Sequence, residues 1–104
     1  MSEAEQRQRI DVWLWRARLA KTRGAAARLV AEGGVRVVRG DQARRLDKPS
    51  ATVAIGDVLV LPDPRGLRTL RITGLGVRRG PASEARTLFE NIEAPLITDI
   101  EGVA

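Results

Sequence analysis

The chain has no cysteine, no histidine and no tyrosine in 104 residues, and only two tryptophans and one phenylalanine. Without cysteine or histidine there is no zinc-finger ligand set, no disulfide scaffold, no thiol chemistry and no histidine general base. The lack of cysteine fits a reducing compartment. No apolar run approaches the roughly 20 residues that span a bilayer. Residues 1–8 are polar with no hydrophobic stretch behind them, so no secretory signal is expected. So few aromatics do not make a stacking platform of the single-strand-binding kind. The expectation is a cytoplasmic chain that works without metal, cofactor or membrane.

What is present is a core and a surplus of arginine. The length suits one compact domain, and a hydrophobic fraction of 43% supports a packed interior. Eighteen basic residues face thirteen acidic ones, a net charge of +5. The first fifty residues hold twelve bases and six acids, whereas residues 51–104 hold six and seven. Such a one-sided field steers polyanions. Sixteen of the eighteen bases are arginine, whose planar fork grips phosphate in two places and stacks on bases. Coding bias toward alanine, glycine, valine and arginine accounts for that preference equally well, but not for its uneven distribution.

Periodicity predicts the elements. Ile10, Trp13, Leu14 and Ala17 fall at i, i+3, i+4 and i+7, the stripe of a core-facing helix, while Val12, Trp15 and Leu19 form a second apolar patch. Thr22 is a good N-cap for a second short helix carrying Ala25, Ala26, Leu29 and Val30, which Gly33-Gly34 stops. Val35 to Arg39 reads as a strand ending at the turn Gly40-Asp41, and further strands are expected around Val53–Leu61 and from Leu70 toward Val77, with residues 62–66 as a turn. Ala85, Leu88, Phe89 and Ile92 repeat the helical spacing behind Pro81, and Pro95 ends it. The expected organisation is a flexible tail at 1–8, one domain at 9–77, a C-terminal helical segment at 78–93 and an acidic tail at 94–104. The fold class is α+β, with two short helices packed on a small, mainly antiparallel sheet plus a C-terminal helix.

The strongest local signal is Lys21-Thr22-Arg23 at the start of the second helix. Cations there oppose the helix dipole, whereas with the unsatisfied N–H groups they would cradle a phosphate. Arg9 and Arg16 either extend that cradle or form a solvated face paired with Asp11 or Glu32. Arg36, Arg39, Arg44, Arg45 and Lys48 lie on the following hairpin and merge with the cradle if it folds back beside Thr22. Trp13 belongs to the core stripe; Trp15 either stacks on a base or is covered by the C-terminal helix. No residue constellation argues for catalysis. Asp57 and Asp63 are turn residues, Gly74-Leu75-Gly76 lacks the rest of a dinucleotide fingerprint, no phosphate loop is present, and Arg39-Gly40-Asp41 is a turn rather than an adhesion signal.

Arg9-Ile10-Asp11, Trp13-Leu14-Trp15, Lys21-Thr22-Arg23, Gly34-Val35, Gly40, Lys48-Pro49-Ser50 and Gly56-Asp57 with Leu59 resemble the alpha-L RNA-binding motif, named for the fourth protein of the small ribosomal subunit. Trp13-Leu14-Trp15 and the run from Arg78 to Ala85 further resemble the bacterial fifteen-kilodalton heat shock protein family, over roughly residues 9–92. The resemblance implies a non-enzymatic binder of ribosomal RNA on large ribosomal subunits carrying a nascent chain on tRNA. Its RNA-contacting residues would be Arg9, Arg16, Lys21, Thr22, Arg23, Arg36, Arg39 and Gly40, and a monomer is expected. Val12 replaces the family's usual lysine, Arg39 replaces an asparagine, and an acidic stretch stands where the family carries a basic extension. Rival readings are a relative of the appendage of pseudouridine synthases, a DNA-binding helix pair, and a protein-interaction module using the Val12, Trp15 and Leu19 patch.

Overall fold

The computed structural model describes residues 6–93 of the chain; the acidic tail expected at 94–104 lies outside them. Helix α1 (Ile10–Arg16) forms where the apolar stripe predicts it. Ile10, Trp13 and Leu14 are fully buried and Ala17 nearly so. Asp11 in the first turn and Arg16 in the last both suit the helix dipole. The helix closes when Arg18 turns into the left-handed region at φ 60°, and the N–H groups of Leu19 and Ala20 both return to the Leu14 carbonyl.

Helix α2 (Arg23–Ala31) follows after a six-residue corner. Thr22 is extended (φ −138°, ψ 161°), and its Oγ1 accepts the Ala25 N–H at 2.9 Å, the expected N-cap. At the far end the Gly33 N–H donates to the Val30 carbonyl (2.9 Å) and the Gly34 N–H to the Leu29 carbonyl (3.0 Å). With Gly33 at φ 80° this is a Schellman stop.

Two antiparallel sheets complete the molecule. β1 (Gln8–Arg9) pairs with β4 (Thr52–Val53). The larger sheet runs in the order β3 (Gln42–Leu46), β2 (Val35–Arg39), β5 (Val58–Asp63), β6 (Gly66–Ile72), β7 (Phe89–Asn91). Its registers place Val35, Val37, Leu46, Leu59, Leu61, Leu70 and Ile72 on the face that α1 and α2 cover, joined by Ala26 and Val30 in one core. Burying side chains of this size contributes roughly 1.5–3 kcal/mol each.

The structure revises the sequence expectations at three places. Gln8 belongs to β1 rather than to a tail, because it pairs with Val53. The chain leaves β6 at Ile72, short of Val77, since the N–H groups of Thr73 and Gly74 both donate to the Leu88 carbonyl. The C-terminal helix is a single turn, α3 (Ala82–Ala85), followed by a 3-10 turn over Arg86–Leu88. Phe89, which shares the helical spacing, is extended (φ −155°, ψ 162°) and opens β7. Pairing Phe89 with Ile72 and packing its ring edge-on against Trp13, with centroids 6.3 Å apart, outweighs continuing so short a helix.

Candidate nucleic-acid interface

The α1–α2 corner holds the first group of bases. Lys21 and Arg23 are exposed and form no ion pair among the described residues, and the first turn of α2 contains no acid. The Thr22 hydroxyl occupies the Ala25 N–H, and the Ala26 N–H donates to the Thr22 carbonyl. Those of Arg23 and Gly24 remain at the helix end. A side chain at Gly24 would meet nothing nearer than the Thr22 hydroxyl at 3.8 Å, so the backbone is open to approach. Two uncompensated cations beside the positive end of a helix make a local minimum for an anion.

The start of α1 carries the second group. The Ile10 N–H donates to the Ala51 carbonyl at 2.7 Å and the Asp11 N–H to the Pro49 carbonyl at 3.3 Å. These bonds lay the Lys48-Pro49-Ser50 segment across the start of the helix, with Lys48 exposed. Arg9 stands beside it, its fork closed on Asp11 by bonds of 3.1 and 2.9 Å. The hydrogen bond to Asp11, reinforced by the carboxylate charge, pushes the Arg9 guanidinium further above its ordinary value. The pairing of Arg9 with Asp11 offered by the sequence is formed.

Arg16 has a different setting from the other candidates. Its Nη1 donates to the Gly76 carbonyl at 2.9 Å, and its Nε is buried without a partner among the described residues. It belongs to a clamp that fastens residues 73–81 to the end of α1. Trp13 Nε1 donates to the Gly74 carbonyl (2.8 Å), Arg18 Nε to the Gly80 carbonyl (2.7 Å), and Arg79 Nε back to the Trp15 carbonyl (3.1 Å). The Arg79 guanidinium also lies 6.0 Å from the Trp15 ring centre, so Trp15 is flanked by an arginine. The sequence reading missed Arg18 and Arg79. No spacing signal marks them, because their partners lie 62 and 64 residues away.

The β2–β3 hairpin divides its bases between two faces. Gly40 takes φ 65° at the first position of a two-residue turn between Arg39 and Gln42. Arg36 lies directly opposite Arg45, and Val37 opposite Arg44. Alternation therefore puts Arg39 and Arg44 on the helix-covered face, beyond the helices, and Arg36 and Arg45 on the other. Arg39 closes its fork on buried Asp57 at 2.9 and 2.6 Å. Arg44 is exposed beside it, lining a shallow depression with Gln42 and Val37. The hairpin bases thus do not form a single patch with Thr22. Among the described residues there is no acidic cluster suited to a metal, and no helix is long and apolar enough to cross a membrane.

Comparison with known proteins matches this arrangement. Residues 8–37, from β1 through both helices into β2, match the S4 domain. Heat shock protein 15 of Escherichia coli K12 is 40% identical over 82 residues, covering 79% of this chain and 58% of that protein. The heat shock protein 15 homolog of Haemophilus influenzae is 32% identical over 91 residues, covering 88% of this chain and 66% of that protein. The chain therefore spans just under three-fifths of the E. coli protein's length. Heat shock protein 15 of Vibrio cholerae, solved as a trimer, superposes with a TM-score of 0.72 at 34% identity, covering 95% of this chain and 94% of that one. With the helix pair, the sheet and the sequence all in agreement, the chain belongs to the heat shock protein 15 family.

Proposed function

We propose that this chain is an RNA-binding heat shock protein that holds structured RNA at the α1–α2 corner and catalyses no reaction. The observation that carries the reading is the exposed pair Lys21 and Arg23, without carboxylate partners among the described residues, at the capped start of α2. Lys48, beside the start of α1, and Arg44, at the hairpin end of the helix-covered face, extend the positive surface. A rigid helix pair with cations at its ends suits recognition of A-form RNA by shape and phosphate position, because the deep groove of such RNA gives side chains little sequence to read. The proposed RNA is ribosomal, on large subunits that still carry a nascent chain on tRNA, and the site of action is the cytoplasm. Thr22, Arg9, Arg16 and Arg39 serve this surface chiefly by holding its scaffold; Gly40 does so by turning the hairpin.

The test is binding of the purified protein to isolated large subunits and to a ribosomal RNA fragment, with duplex DNA as competitor at equal salt. Replacing Lys21 and Arg23 together with alanine is expected to weaken RNA binding at least tenfold while leaving the melting temperature within a degree or two. Unchanged affinity in that variant overturns the site, and equal competition by DNA overturns the preference for RNA.

A further inference from the structure

The carbonyl end of α1 is closed from two sides. The Trp15 carbonyl accepts the Arg18 N–H and the Arg79 Nε–H, both at 3.1 Å, while Arg18 Nε donates back to the Gly80 carbonyl at 2.7 Å. Two arginines thus bridge one gap in opposite directions, each fixed through Nε alone. Cations suit the negative end of a helix, but that task occupies one of the five N–H groups of each guanidinium. The Nη donors of Arg18 and Arg79 make no hydrogen bond or ion pair among the described residues. They are not enclosed either. Arg18 is exposed, and among the described residues that are not exposed only Arg16 has a side-chain polar atom, its Nε, that is both buried and unpartnered. By the same test the Trp15 indole N–H reaches the surface without an acceptor.

The nearby carboxylate is already engaged. Glu84 is the only acid between Asp63 and Glu90. A Cβ on Gly80 would collide with its carboxylate, so the acid lies against the bare glycine, where Arg78 closes on it at 3.2 and 2.7 Å. That pair neutralises itself and leaves Arg18 and Arg79 uncompensated, with Arg16 as a third charge fastened to the Gly76 carbonyl. Free groups that are all N–H donors select the oxygens of an anion, and guanidinium forks match the several oxygens of a phosphate. The Arg79 fork is also pre-set. Its Nε bond and its seat 6.0 Å from the Trp15 ring centre remove freedom that binding would otherwise cost. Arg18 stands three residues before Lys21, so their Cα atoms are at most about 11 Å apart.

We propose that Arg18, Arg79 and the Trp15 indole N–H form a second phosphate-binding site, which takes a backbone phosphate of the RNA that Lys21 and Arg23 hold. The proposal rests on the RNA-binding reading and brings into it the run from Arg78 to Glu84, whose glycine and ion pair keep the acid off the two arginines. The RNA backbone then runs across the corner from the start of α2 to the end of α1. The site adds about one unit to the salt slope that the other cations contribute.

The experiment titrates one ribosomal RNA hairpin against the full chain and against Arg79→Gln, Arg79→Lys and Arg18→Gln over a series of salt concentrations, with the melting temperature of each. Arg79→Gln retains an amide donor for the helix end and loses the charge. At about 0.1 M salt its affinity is expected to fall roughly five- to tenfold, and its logarithmic salt slope to flatten by about one unit. Arg79→Lys keeps the charge and should keep the wild-type slope. Arg18→Gln, at an exposed position, should repeat the loss, and it carries the test if Arg79→Gln melts early. Unchanged slopes in both glutamine variants overturn the second site and leave the corner intact, because a role in closing α1 alone moves stability and not counterion release. Flattening by Arg79→Lys as large as that by Arg79→Gln overturns it as well. Absence of any RNA binding by wild type overturns the function itself. Saturable binding of poly-glutamate that Arg79→Gln abolishes, with the RNA slope unmoved, overturns the phosphate in favour of an acidic protein partner.

Discussion

Asp57 is the residue on which the hairpin's orientation depends most directly. Its side chain is 5% exposed, and its carboxylate accepts two bonds from Arg39 and one from the Ala54 N–H at 2.9 Å. Removing it leaves the buried Ala54 N–H without its acceptor and takes two charge-assisted bonds from the half-buried Arg39 guanidinium. Asp57→Ala is therefore expected to lower stability by about 2 kcal/mol, read by urea denaturation; partial exposure of Arg39 keeps the loss below that of a fully buried pair. The cap at Thr22 is a smaller term: Thr22→Ala should cost about 1 kcal/mol in the same assay. These two residues differ in legibility. Thr22 acts on a backbone group three residues away, so its role follows from residue type and spacing. Asp57 reads locally as a turn aspartate; its partner is eighteen residues distant, and only the β2–β5 pairing brings them together. The same limit hid the use of Arg39 and Arg16 inside the fold.

At the scale of elements, the stop of α2 is specified twice. Gly33 needs its glycine for a positive φ, whereas Gly34 needs it for space: an added Cβ would lie 2.6 Å from Leu29 Cδ1 and 3.1 Å from the Leu29 carbonyl oxygen. Gly34→Ala is expected to destabilise by roughly 1–3 kcal/mol, because the backbone carbonyl cannot give way as a side chain does; thermal unfolding checks it. The bounds of α2, the strand β2 and the turn after it were readable because a cap, glycines and periodicity agree there. The segment after Pro81 was not, since Leu88 and Phe89 match a helical stripe equally well as a 3-10 turn followed by a strand. What fixes the outcome is the free edge of β6, invisible in local pattern. Within that segment Arg78 closes its fork on Glu84 at 3.2 and 2.7 Å. The hydrogen bond from Arg78, with help from its charge, holds the Glu84 carboxyl below its ordinary 4.5. A lowered folded value means that the contribution is complete above 4.5 and disappears as pH falls through the lowered value. An NMR titration should show the Glu84 midpoint rising toward 4.5 in Arg78→Ala.

For the whole molecule the decisive property is which charges are left over. In the second half of the sequence two of the six arginines meet carboxylates, Arg71 on Glu90 at 2.9 Å and Arg78 on Glu84 at 2.7 Å. In the first half Arg9 and Arg39 are similarly paired. Lys21, Arg23, Arg28, Arg44, Arg45 and Lys48 are exposed and have no such pairing among the described residues, and four of them, Lys21, Arg23, Arg44 and Lys48, make up the proposed RNA surface. The sequence showed the asymmetry of charge, but not this selection, which depends on who folds against whom. If those four cations each meet a phosphate, the logarithm of the RNA association constant should fall against the logarithm of salt concentration with a slope of about −3 to −4. Lys21→Ala with Arg23→Ala should flatten that slope by about 2, since each lost contact no longer releases a counterion. Arg9→Ala should change the slope by much less than one unit, because its guanidinium is already neutralised by Asp11 in the folded chain. A slope that Arg9→Ala flattens as much as Lys21→Ala does would mean that RNA displaces Asp11, and the surface would then begin at β1 rather than at the helix corner.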